Sequence, residues 1–102
     1  MSRHLKGKIF VTKSKKLYED VAFYRVTRAT TNTCELIGLE KNVIFQNEDH
    51  QFVEPGCREL VGNLSRCRVL GVDIIEFKSG EIATEWDGKP VKQPTFIFLF
   101  TY

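Results

Sequence analysis

Between Ile9 and Tyr102 the chain never runs through more than five apolar residues before a polar or turn-forming cluster interrupts it. That rhythm suits strands of about five or six residues and leaves little room for helices, which need several turns of one-sided apolar spacing. β-branched and aromatic residues dominate the apolar runs, and Gly, Asn, Asp and Pro dominate the interruptions, the pairing that marks strands joined by turns. The expectation is an all-β domain.

Residues 7–12 read as a first strand and residues 20–28 as a stronger second one. In the second, Ala22, Tyr24 and Val26 alternate against Val21, Phe23, Arg25 and Thr27, because successive strand side chains point to opposite faces. Thr30, Thr31 and Asn32 form a turn into a third strand over residues 33–39. Glu40, Lys41 and Asn42 break that strand before a short one at Val43 to Gln46. A polar tip at residues 47–50 leads to Gln51, Phe52 and Val53. One helix is expected, over residues 57–64, where Leu60, Val61 and Leu64 fall near one helical face. At about two turns it needs a sheet to pack on.

The last third predicts a β-meander. Residues 67–77 form one long strand, bulged near Ile74. A turn at residues 78–81 leads to a strand over residues 82–86. Asp87 and Gly88 then supply the positive backbone angles of a tight turn before a final strand over residues 93–102. A chain of 102 residues is one domain by size. Six to eight short strands with at most one short helix pack most economically as a small barrel or two-sheet sandwich, which limits exposed sheet edges.

Hydrophobic residues make up 42% and charged residues 27% of the chain, a balance that excludes a disordered polymer. The basic first residues are not followed by the apolar run of a secretory signal, and nothing approaches the length of a membrane span. Three cysteines, odd in number and without a Cys-x-x-Cys pair, agree with a reducing compartment, so a cytoplasmic location is expected.

Catalytic and cofactor patterns are not found. Glycine-rich phosphate loops are missing. A zinc site would have to draw on His4, His50, Cys34, Cys57 and Cys67, which lack the close pairs that organise tetrahedral ligands. Cys57 and His50 face each other across a Pro–Gly turn, but their acidic neighbours Glu48, Asp49, Glu54 and Glu59 would oppose thiolate formation. Glu76, Glu81, Glu85 and Asp87 read as the solvated side of a hairpin rather than an acid–base pair. The chain is therefore expected not to be an enzyme and to hold neither cofactor nor metal.

Two features point to partners. Residues 1–28 hold eight basic and two acidic groups, a net +6, whereas the remainder holds seven basic and eleven acidic groups, a net −4. Lys8, Lys13, Lys15, Lys16, Arg25 and Arg28 are therefore candidate phosphate contacts for a nucleic acid. At the other end, Phe96, Phe98 and Phe100 alternate with Ile97 and Leu99. A strand apolar on both faces must be covered on both, so these five residues are a candidate protein interface, with self-association or another protein as the partner.

An Asp-x-x-Phe-Tyr-x-Val segment (Asp20, Phe23, Tyr24, Val26) with a downstream Thr33, together with the Trp86-Asp87-Gly88-Lys89-Pro90 turn, resembles small uncharacterised proteins of bacteriophages and large algal-type viruses. The resemblance spans about half the chain and brings no activity with it; it implies a viral or phage setting. The function expected is a non-enzymatic binding or structural module acting through protein–protein contacts, with a nucleic-acid-binding barrel as the alternative.

Overall fold

The computed structural model describes residues 5–13 and 21–94. All the regular structure in these residues is β. Seven strands follow in chain order: β1 (Ile9–Lys13), β2 (Val21–Ala29), β3 (Thr33–Gln46), β4 (His50–Val69), β5 (Ile74–Glu76), β6 (Ile82–Glu85) and β7 (Val91–Pro94). Each of the first six pairs antiparallel with its neighbour in sequence, and β6 returns to β1 through Phe10 opposite Glu85 and Val11 opposite Thr84. The result is a closed six-stranded up-and-down barrel, which removes the edges an open sheet would leave.

Two strands outgrow the barrel. β3 and β4 are 14 and 20 residues long, and beyond the pairing of Phe23 with Leu39 no residue of β2 accompanies β3. From there the β3–β4 hairpin projects as an arm, with β7 added to the other side of β4 through residues His50 to Val53. The arm gives the molecule its elongated outline of 51 × 25 × 24 Å. The tip is tied by Asn47, whose side-chain oxygen accepts the N–H groups of Asp49 (2.8 Å) and His50 (2.9 Å). This is an Asx turn, which suits Asn at the start of a reversal.

The strand alternation of β2 sorts the core in two. Val26, with Tyr24 packed alongside, joins Leu5, Phe10, Leu36, Ile75 and Ala83 in one cluster. The opposite parity, Val21 and Phe23, joins Leu39 and Val53, with Ile9, Val11, Trp86 and Val91 packed around them. The second cluster joins the root of the arm and β7 to the wall of β1 and β2. Phe23 meets Trp86 edge to face at 6.0 Å, a favoured aromatic geometry. Trp86 in turn donates its indole N–H to the Lys89 carbonyl at 2.7 Å, bracing the Asp87–Gly88 turn, where Gly88 takes φ +87°.

The expected helix at residues 57–64 is strand instead, part of β4. A two-turn helix is costly to nucleate, Gly62 adopts φ +83°, and Val61, 98% exposed, has no sheet beneath it to cover. The segment forms an outward bulge: Ile37 faces Leu64 while Leu39 faces Glu59, so β4 carries three extra residues there. The break foreseen at residues 40–42 is likewise absent, because β3 continues through them paired to Pro55 and Glu54. Gly56 permits that approach; a Cβ there would lie 3.1 Å from the Glu40 carbonyl.

The long strand expected over residues 67–77 is two strands, β4 and β5. A turn at residues 70–73 separates them, in which Leu70 and Gly71 both donate to the Ile74 carbonyl (3.0 and 3.1 Å). The meander is accordingly β4–β5–β6, and among the described residues β7 pairs with β4 and not with β6.

Candidate functional site

The arm carries the most unusual surface of the described residues. Val43, Ile44 and Phe45 of β3 are each exposed by half or slightly more. Phe45 leans on Phe52 with ring centres 6.1 Å apart, and His50 meets Phe52 edge-on at 5.5 Å. A bulge between Val43 and Phe45 leaves Ile44 without an opposite residue on β4. A bulge kinks the strand and turns side chains out of the simple alternation. The outer edge of β3 from Asn42 to Gln46 has no strand beside it among the described residues. An edge strand's outward N–H and C=O groups are a template for an added strand. Residues 42–46 (Asn42, Val43, Ile44, Phe45, Gln46) carry no charge and no proline, so of the usual devices that discourage edge pairing the stretch has the bulge at Ile44 but neither a charge nor a proline.

A polar ladder on the other side holds the arm to β7. Gln93 is 3% exposed; its oxygen accepts the Val21 N–H at 3.3 Å and Lys41 Nζ at 3.2 Å, and its amide nitrogen donates to Gln51. Gln51 then donates to Gln46 at 2.9 Å. The links at Gln93 are buried or partly buried and use groups that would be costly to leave unpaired.

The candidate phosphate contacts do not assemble into one stripe. Lys8 pairs with Glu85 at 3.3 Å, and Arg25 is ion-paired with Glu59. Lys13 faces Val21 at the start of β2, whereas Arg28 stands near its end, about 23 Å away by strand rise. Lys15 and Lys16 lie outside the described residues, as do His4 and the proposed interface residues Phe96, Ile97, Phe98, Leu99 and Phe100. Arg28 instead keeps company with Arg66. The pair flank Glu35 in one row across β2, β3 and β4, and line a cleft of about 350 Å³ at that end of the barrel.

Cys57 and His50 are not neighbours. They are separated by seven residues of the same strand, on the order of 20 Å. Three of the four carboxylates weighed as an acid–base set have other work: Glu76 binds Arg68 at 2.8 Å, Glu85 binds Lys8, and Asp87 accepts the Lys89 N–H at 2.9 Å. Among the described residues no cluster of His, Cys, Asp and Glu is arranged to hold a metal ion, and no helix is long and apolar enough to cross a membrane.

By sequence spacing Cys34 and Cys67 are only two of three cysteines without a close pair. The register sets them directly opposite each other on β3 and β4, with 3% exposure each. The interaction with the Cys67 side chain holds the Cys34 thiol below the usual cysteine range against the opposing effect of burial, and the same interaction pushes Cys67 well above it, where burial and the charge of Cys34 act in the same direction. No sequence signal short of the β3–β4 register could have paired them.

Comparison of the chain with protein-family models, curated proteins and solved structures finds no match.

Proposed function

We propose that this protein is a non-enzymatic structural or binding module that works through protein–protein contacts, with the outer edge of the β3–β4 arm as its contact surface. The observation that carries the reading is the uncharged stretch from Asn42 to Gln46, with Val43, Ile44 and Phe45 exposed and no strand beside it among the described residues. The occupant we assign is a second copy of the chain. When two identical edges pair antiparallel about a two-fold axis, each residue meets its own kind of segment, so any net charge would repel itself; this stretch has none. The backbone groups supply the affinity, and Val43, Ile44 and Phe45 supply apolar area on the paired sheet. The viral or phage setting implied by the resemblance is part of the same proposal: repeated copies joined by edge pairing are a means of building an assembly.

The test is light scattering after size exclusion over a wide concentration series, on the full chain and on a Val43→Lys, Phe45→Lys double variant. The proposal expects the parent to associate with rising concentration and the variant to stay monomeric with an unchanged circular dichroism spectrum. A parent monomeric at every concentration removes the second copy as occupant.

A second reading, nucleic-acid binding, draws on Arg28 beside Arg66, with Arg68 and Lys78 lining the adjoining cleft. Fluorescence anisotropy with labelled oligonucleotides decides it, since phosphate contacts weaken steeply with salt. Salt-sensitive binding lost in Arg28→Ala, Arg66→Ala would favour it over the first reading.

A further inference from the structure

The Cys34–Cys67 pair has the arrangement of a reactive site, independent of the arm. Directly opposed residues of an antiparallel pair hold their Cβ atoms about 4.5–5.5 Å apart, and a disulfide asks for about 3.5–4.5 Å. Closing the bond therefore needs an adjustment of about an ångström in a register the strands already hold. Both thiols belong to the packed cluster with Leu36 and Ile75, yet each also borders an opening. Cys34 lines the cleft of about 350 Å³ that holds Arg28 and Arg66, and Cys67 lines a neighbouring one of about 420 Å³ with Arg66, Arg68 and Lys78. Arg28 and Arg66 have no ion-pair partner among the described residues. A thiolate is favoured by a neighbouring group that donates to it, and it is the thiolate that reacts. Cys57, the third cysteine, is exposed and sits ten residues from Cys67 along the same strand, so it is a ready control.

We propose that Cys34 and Cys67 are a reversible dithiol–disulfide pair, oxidised by a small peroxide that enters through the Arg28–Arg66 cleft. Cys34 is the attacking sulfur. Its thiolate takes the terminal oxygen of hydrogen peroxide as the O–O bond breaks; the other oxygen leaves as hydroxide, becomes water on protonation, and Cys34 is left as a sulfenic acid. The Cys67 sulfur then displaces that hydroxyl, its own proton leaving with it as a second water, and the S–S bond forms. In all, two thiols and one peroxide give one disulfide and two waters. A dithiol reductant returns the two electrons and restores both thiols. The bond would clamp β3 to β4, the two strands that continue into the arm.

The experiment uses the full chain with Cys57→Ser, treated with hydrogen peroxide under native conditions and read by thiol titration, intact mass and peptide mapping. The expected result is loss of both remaining thiols together, a mass lower by two hydrogens with no added oxygen, a cross-linked peptide joining Cys34 to Cys67, a raised melting temperature, and full reversal by dithiothreitol. With Cys67→Ala added, Cys34 should instead gain one oxygen that a sulfenic-acid probe captures. If both thiols survive peroxide that oxidises Cys57 in the parent chain, or if the disulfide forms only in urea, the proposal is overturned. The same holds if each sulfur gains oxygen separately.

Discussion

Replacing Phe23 by alanine tests whether the second cluster joins the arm to the barrel or merely decorates it. Phe23 is 1% exposed and sits among Val21, Leu39 and Val53 with Trp86 against its edge. Emptying such a site costs about 3–5 kcal/mol, the lost transfer energy plus the cavity left behind. A domain of this length has a total stability of about 5–15 kcal/mol, so the variant should lose a large share of it. With a urea slope of about 1.5 kcal/mol/M, the midpoint should fall by roughly 2–3 M. Trp86 is the only tryptophan and touches the deleted ring, so its fluorescence reports on the second cluster while far-ultraviolet dichroism reports on the whole sheet. The two probes should give one coincident, shifted transition. A loss below about 1 kcal/mol at unchanged slope would refute the reasoning, because a ring this buried must cost more than a surface change. Phe45→Ala, at a residue 54% exposed, is the matched control and should cost less than about 1 kcal/mol.

Three further outcomes follow from particular contacts. Gln93→Leu leaves the Val21 N–H and the Gln51 side chain without their partner and should destabilise by about 1–3 kcal/mol in urea unfolding, with faster amide exchange in β7. Oxidising Cys34 and Cys67 in the Cys57→Ser background closes a loop of 34 residues (67 − 34 + 1); the chain-entropy estimate is about 4 kcal/mol, to be read as a higher unfolding midpoint that reductant reverses. Because its interaction with the Cys67 side chain holds Cys34 below the usual thiol range, the rate of that oxidation should climb with pH earlier than the rate for exposed Cys57, as stopped-flow thiol assays would show.

Much of the barrel was legible because local signals agreed with one another. Alternation in β2 correctly separated Tyr24 and Val26 from Phe23, and the turns at Thr30, Asn47 and Asp87 all fall where polar or glycine-bearing clusters announced them. The errors share a cause. At residues 40–42 the polar run signalled a break, and at residues 57–64 the apolar spacing signalled a helix, yet both segments are strand because each pairs across the long hairpin, Lys41 and Asn42 with Pro55 and Glu54, and Leu64 and Glu59 with Ile37 and Leu39. Pairing between distant segments is a tertiary preference that local pattern does not carry. The turn at residues 70–73 was hidden for the opposite reason: Leu70, Val72 and Ile74 look like strand, and only Gly71 marks the reversal.

The candidate site was less legible. Val43, Ile44 and Phe45 are ordinary strand residues by composition, and among the described residues no strand accompanies β3 beyond the pairing of Phe23 with Leu39. The basic residues were visible as a group, but chain proximity did not become spatial proximity: β2 carries Arg25 to Glu59 and Arg28 to the far end of the barrel. The cysteine pair depended wholly on register.

Amide hydrogen exchange on the full chain at low and high concentration tests the assigned contact surface most directly. Edge pairing between copies predicts that protection rises with concentration in the peptide covering residues 41–46, while β1, β2 and the turn at residues 70–73 stay unchanged. Equal exchange in residues 41–46 at both concentrations, in a sample that scattering shows to be associated, would contradict the account by placing the contact elsewhere.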